Sequence, residues 1–381
     1  MWALIAACIV IMTIPACQGD GGVPDGTGEW GVVTLVEEIR IGELDGPDEH
    51  LFGRVAALAV GPDGSMYVAD HQQKSIRQYD PGGNYVRAAG RYGEGPGEYR
   101  QILGMKSLPD GTLAVLDAPH RIILYSPGGE YLRDFRVPSG LYAWRMLEYD
   151  VDGNLYIRAM ASDDFRGGDD FPMVLLKVSQ TGEVLGRIPL PPENKSGGSF
   201  VLTTSEGPIW YPTFSTRHAW SPLGYVVSGR NDAYAIYQLH PDSTTTLIGR
   251  DLPPEPLTGP EKDMWRAWAD HFAATRGGGY PSPPDVKPYF KDIYTGKDGA
   301  IWVHRHVPAL WRDLPPRPAG DERPLLSWRE PVTFDVFAPG GAFLGSVIMP
   351  AGAVMAVAED RQVWGIVTGE SGEQVVRWRI Q

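Results

Sequence analysis

An abundance of glycine and proline, one hairpin turn that recurs six times and a second that recurs five times predict an all-β ring, a six-bladed β-propeller of four-stranded blades. The 47 glycines and 34 prolines make about a fifth of the 381 residues, a content that demands many turns and hence many short strands. The mismatch between the two turn counts leaves the last repeat one strand short, and a strand from the N-terminal side of the chain is expected to complete it. One helix, inserted between blades, is the exception to the all-β pattern.

The chain opens on an apolar run of 16 residues, Trp2 to Cys17, too short for the roughly 20 that a spanning helix needs. It reads as a secretory signal over residues 1–17, and its end, Ile14-Pro15-Ala16-Cys17, resembles the lipobox of bacterial lipoproteins. The resemblance implies that Cys17 is lipidated and that the protein is exported and held on a membrane by its N-terminal lipid, on the periplasmic side or at the cell surface. A plain secretory signal and an uncleaved anchor are the alternatives. Only Cys8 and Cys17 are present, so removal of the signal leaves no pair for an internal disulfide. Residues 18–29, rich in Gly and Asp, read as a flexible tether, and residues 30–381 as the propeller.

Within the propeller the first turn appears as Gly61-Pro62-Asp63-Gly64, Leu108-Pro109-Asp110-Gly111, Asp150-Val151-Asp152-Gly153, Ser221-Pro222-Leu223-Gly224, Gly296-Lys297-Asp298-Gly299 and a degenerate Ala358-Glu359-Asp360-Arg361. Proline second and glycine last suit a type I turn followed by a left-handed residue, which joins antiparallel strands. A β-rich strand follows each turn, and a third strand follows a variable loop; for blade one these are residues 66–70 and 75–79. The second turn, at Pro81-Gly82-Gly83, Pro127-Gly128-Gly129, Gln180-Thr181-Gly182, Pro241-Asp242-Ser243 and Pro339-Gly340-Gly341, leads to the fourth strand. The sixth blade takes its fourth strand from residues 32–39.

The stretch Val55 to Asp70, with Ser75-Ile76-Arg77-Gln78-Tyr79-Asp80 and Gly93-Glu94-Gly95-Pro96-Gly97-Glu98-Tyr99, resembles the NHL repeat of bacterial six-bladed propellers over residues 42–135. The resemblance implies fold more than function, since such propellers include scaffolds, ligand binders and a few lyases.

Spacing between successive first-turn glycines is 47, 42, 71 and 75 residues, so blades three to five carry the insertions. They fall in residues 159–172, 191–216, 253–288 and 304–331, in the two loop types that emerge on one face of an up-and-down blade. Loops gathered on one face of a rigid scaffold point to binding there, with uninvolved decoration as the alternative. The helix begins at the capping box Thr258-Gly259-Pro260-Glu261 and ends at Gly277 to Gly279; Met264, Trp265, Trp268, Ala269 and Phe272 share its apolar face. Those tryptophans pack the helix onto the propeller, or one of them lines a ligand cleft.

The balance of 34 basic to 47 acidic residues, net −13, argues against a nucleic-acid partner. Arg54, Arg100, Arg145, Arg217 and Lys291 nevertheless stand at or just before innermost strands on the loop-rich face, where convergence would suit a small anionic ligand; pairing with nearby carboxylates is the alternative. His218 lies beside Arg217. His304 and His306 share a strand face, so a metal such as zinc is conceivable there, with a third ligand unidentified; calcium at the acidic residues 163–170 is a weaker thought. No nucleophile-elbow, phosphate-loop or zinc-protease motif is present. The sequence therefore predicts a monomeric, non-catalytic module that binds a ligand or a protein, with Arg54, Arg145, Arg217, His218, Lys291, Trp265 and Trp268 as candidate contacts and no required cofactor. A metal-assisted lyase or hydrolase using His304 and His306 is the alternative.

Overall fold

At the first turn of blade one the Gly64 N–H returns to the Gly61 carbonyl at 3.0 Å, with Gly64 at φ +81°, a setting that glycine adopts without a Cβ clash. Asp360 takes this left-handed role in the degenerate sixth turn (φ +53°), and Ser243 takes it in the one second turn that lacks glycine (φ +68°). The second turn of blade four thus keeps the conformation of its repeat, while the sixth first turn is a tighter hairpin, with Glu359 paired directly to Gln362 where Val60 pairs with Met66 in blade one.

The structure, a computed structural model, describes residues 28–118, 120–138, 141–161, 173–191, 201–204, 207–277, 279–280, 282–311, 323–369 and 372–381, without the side chains of 142–145, 161, 201, 203–204, 207–210 and 276. The signal, Cys17 and most of the tether lie outside these residues, as do the acidic residues 163–170. No helix among the described residues is long and apolar enough to cross a membrane.

Six four-stranded antiparallel blades form, the fifth and sixth joined into one eight-stranded sheet. Blade one comprises Val55–Val60, Met66–Asp70, Ser75–Tyr79 and Tyr85–Ala88; blade two, Ile102–Ser107, Leu113–Asp117, Arg121–Tyr125 and Tyr131–Arg136; blade three, Leu141–Tyr149, Leu155–Ala161, Met173–Val178 and Val184–Pro189. Blade four comprises Thr216–Ser221, Tyr225–Arg230, Ala235–Leu239 and Thr245–Gly249; blade five, Phe290–Thr295, Ile301–Arg305, Thr333–Phe337 and Phe343–Ile348. Blade six has Ala353–Glu359, Gln362–Gly369 and Gly372–Ile380, and Gly31–Ile41 completes it.

Apolar clusters seal every interface between neighbours. Tyr67, Ala69, Val115 and Ile123 join blades one and two; Leu116, Leu124, Ile157 and Leu176 join two and three; Tyr156 and Trp220 stack at 3.8 Å between three and four. Val227, Ile236, Phe290 and Val303 join four and five, Trp302, Phe334, Val363 and Trp378 join five and six, and Val68, Tyr79, Trp364 and Val375 join six back to one. The ring is closed by packing as well as by strand pairing.

The closing strand does more than the turn count foretold. Its second half, Leu35 to Ile41, pairs antiparallel with Val375 to Ile380, as expected; its first half, Gly31 to Thr34, pairs in parallel with Gly345 to Ile348 of blade five. One strand therefore joins two blades. The turn before it is docked too, through the Trp30 N–H to the Leu344 carbonyl at 2.7 Å.

Candidate functional site

The insertions of blades three to five meet on the loop-rich face. The helix α1 (Gly259–Arg276) buries Met264, Trp265 and Phe272 against Leu202 and Tyr211 from the insertion before blade four and against Leu326 and Trp328 from the insertion within blade five. Trp268 and Ala269 pack on the edge of this cluster, so the apolar stripe predicted for the helix chiefly joins insertion to insertion. The product is a cap.

Between the cap and the end of blade five lies a cavity of about 260 Å³. Leu257, Trp265, Trp328, Val332, Ile348 and Met349 supply apolar wall, and Lys287, Lys291, His304, His306, Arg329 and Glu330 supply the polar groups. Glu330, at the end of the blade-five insertion, organises them. Its carboxylate lies 3.0 Å from Lys287 Nζ, 2.8 Å from Lys291 Nζ and 3.0 Å from His306 Nδ1, and accepts the Val307 N–H at 3.4 Å. Lys287 also lies 2.7 Å from Glu261 Oε1 and donates to the Val307 carbonyl at 3.0 Å.

Glu261 is the third residue of α1, and its other oxygen accepts the Thr258 N–H at 2.9 Å and the Thr258 hydroxyl at 2.7 Å. The capping box visible in sequence thus also ties the helix to blade five through Lys287. Lys287 and Glu261 are each 1% exposed, so these ion pairs are screened little by water.

Burial alone would raise the Glu330 carboxyl, but Lys291, His306 and Lys287 hold it well below the usual carboxylate range. Burial likewise works against a charged Lys287, yet Glu330 and Glu261 raise its pKa and keep it an ammonium. Burial, reinforced by Lys291 and His306, pushes His304 well below the ordinary histidine value. His306 is lowered as well, by burial first, with Glu330 opposing. Both imidazoles are neutral at pH 7. The His304 ring lies 4.9 Å from that of Phe334, and among the described residues neither its Nε2 nor Trp328 Nε1 has a hydrogen-bond partner.

Of the candidates read from sequence, Lys291, Trp265, His304 and His306 share this cavity, while Arg54, Arg217, His218 and Trp268 do not line it. The expected convergence of cations at the channel mouth is thus not what builds the pocket. Arg54 is exposed, Arg100 pairs with Glu94 at 2.8 Å, and His218 Nδ1 faces Ser228 Oγ at 3.2 Å. Arg145 lies in the first strand of blade three, with its side chain outside the described residues. Among the described residues no group of three or more His, Cys, Asp or Glu is placed to hold a metal ion. His306 faces a carboxylate, and two lysines stand beside it.

Sequence reasoning missed Lys287, Glu330 and Trp328. Lys287 closes the insertion before blade five, and Glu330 comes two residues before a Val-Thr-Phe strand start, but no spacing rule joins residues 43 positions apart.

Residues 32–184 match a family model described as a 6-bladed beta-propeller. The chain is a six-bladed β-propeller. Solved structures agree over nearly the whole length. A Bacteroides fragilis protein, named as a candidate exported protein, aligns over 92% of this propeller and 99% of its own chain at 10% identity, with a TM-score of 0.50. A member of the DUF4221 family from Bacteroides vulgatus aligns over 91% and 98% at 12% identity, with a TM-score of 0.51. At such identities the likeness shows the fold alone. No curated protein sequence matches the propeller.

Proposed function

We propose that this propeller is an exported, lipid-anchored module that binds a small organic ligand, without chemical turnover, in the cavity beneath its cap. The supporting observation is the cavity itself: apolar walls on most sides, buried polar groups fixed by an ion-pair network, and an opening on the loop-rich face. Binding is favoured over catalysis because among the described residues no Ser, Thr or Cys lines the cavity and the carboxylate there, Glu330, is held ionised by four donors. The metal-assisted alternative lacks a third ligand for His304 and His306 among the described residues. Export and anchoring rest on the apolar run ending at Cys17.

Saturation-transfer NMR on the full chain, with small cyclic carboxamides and their parent acids, tests the binding reading. Ala351 lines the cavity on its exposed side, so Ala351→Trp should plug it and abolish the signals. Signals that survive the plug, or none in the unmodified protein, refute the reading. For the anchor, Cys17→Ser is expected to move the protein from the membrane to the soluble fraction; unchanged membrane association refutes lipidation.

A further inference from the structure

We infer that the ligand of this cavity is a monocarboxylate on a compact apolar body, its carboxylate facing Lys291. The inference rests on the binding reading above and deepens it. Its basis is a count of donors and acceptors.

The acceptors are already used. Glu330 Oε1 takes Lys287 at 3.0 Å and His306 at 3.3 Å, and Oε2 takes Lys291 at 2.8 Å and His306 at 3.0 Å. Glu261 gives one oxygen to Lys287 and the other to Thr258. The donors are not used up. Lys291 Nζ carries three protons and makes one ion pair among the described residues, to Glu330. The ammonium protons of Lys291 that Glu330 does not engage can serve the acceptor oxygens of a ligand.

Charge then selects among acceptors. Lys291 favours an anion over a neutral carbonyl, because a charge-assisted hydrogen bond is about twice as strong as a neutral one. A dianion is disfavoured, since Glu330 lies against the same ammonium and would repel a second negative charge. The body must be apolar to match Leu257, Trp265, Val332, Ile348 and Met349, and small, since about 260 Å³ is room on the order of nine waters.

Calorimetric titration of the full chain with paired probes decides it: benzoate, cyclohexanecarboxylate and 3-phenylpropanoate, each against its isosteric primary amide. At least one acid should bind about tenfold more tightly than its amide, the gap between a charged and a neutral hydrogen bond. Lys291→Met should bring that ratio close to one, and Lys291→Arg should restore part of it. Equal affinity for acid and amide overturns this inference and leaves the binding reading standing. No binding by either series, at millimolar concentration, removes both. A preference that survives in a folded Lys291→Met protein also overturns the inference, because the anion then has another partner. If that variant does not fold, the ratio in the unmodified protein decides alone.

Discussion

Replacing Lys287 by methionine tests whether the buried ion pairs hold the cap on blade five. Lys287 forms ion pairs with Glu261 at 2.7 Å and Glu330 at 3.0 Å, donates to the Val307 carbonyl at 3.0 Å, and is 1% exposed. Methionine matches the stem in volume, so cavity formation adds little. What remains is a buried Glu261 without a cation, a Glu330 reduced to Lys291 and His306, and an unmet carbonyl. Removing one partner of a buried ion pair costs about 3–5 kcal/mol. For a chain of this size that corresponds to a fall in Tm on the order of 4–7 °C. Urea unfolding followed by tryptophan fluorescence should report it, since Trp265 and Trp328 stand in the wall beside the network. Glu261→Gln should be costly alone, yet the double variant should be less destabilised than the sum, by at least about 1 kcal/mol, because the second change removes the orphaned charge. A single-variant loss below about 1 kcal/mol, with strict additivity in the pair, would show that the cap is held by its aromatic cluster and that the ion pairs are incidental.

Deleting residues 28–41 should abolish cooperative folding, since that strand pairs with both blade five and blade six; deleting residues 18–27 should leave the thermal melt unchanged, and equal melts for the two truncations would refute closure. Asp335→Ala should cost at least about 3 kcal/mol in urea unfolding, because this fully buried carboxylate accepts from the Tyr234 hydroxyl at 2.8 Å and the Ser346 hydroxyl at 2.6 Å while pairing with Arg250 at 2.8 Å and Arg305 at 3.4 Å. His304 should make the protein acid-sensitive: its folded pKa is depressed, so below the unfolded value of about 6.5 the unfolded chain takes up a proton that the folded one refuses. The stability lost between pH 7.5 and pH 5.5 is about 1.4 kcal/mol for this one group, and His304→Gln should flatten that part of the pH profile by the same amount; an unchanged slope would mean that His304 is protonated in the fold.

The ring was legible because its information is local and repeated. A turn such as Gly61-Pro62-Asp63-Gly64 declares its conformation within four residues, and six such turns against five of the other kind left one strand to be supplied from elsewhere. The parallel pairing of Gly31 to Thr34 with blade five was not legible, because the alternating pattern of one strand says which residues face in and nothing of a second neighbour. The site was legible in halves. His304 and His306 sit where a second strand ends, and Trp265 sits on an amphipathic helix, so their common face followed from position. Glu330 and Lys287 did not follow, because an ion pair across 43 residues leaves no periodic trace.

The reason the cavity belongs to blade five lies in what each blade places at the end of its second strand. In blade one Asp70 accepts the Gly53 N–H at 2.7 Å and the Gln72 N–H at 2.8 Å, and in blade two Asp117 accepts the Arg100 and Gln101 N–H groups at 2.8 and 2.9 Å. In blade four Asn231 accepts the Ser215 N–H at 2.7 Å. These short side chains fold the connecting loops tightly onto their own blade and satisfy the backbone locally. The residue that pairs with the start of the innermost strand is Arg230 in blade four, where the next residue, Asn231, supplies the acceptor, and Arg305 in blade five, which turns to Asp335 and is followed by His306, itself facing Glu330. With no local acceptor at this end, the segments leading into and out of blade five are held by a carboxylate brought from the insertion, Glu330, and by lysines that reach it. Long side chains span more space than an aspartate loop does, and the space they span is the cavity. Substituting an acidic residue for Arg305 would thus not restore the tight arrangement, because Glu330 and the cap already occupy the positions that a local loop would need.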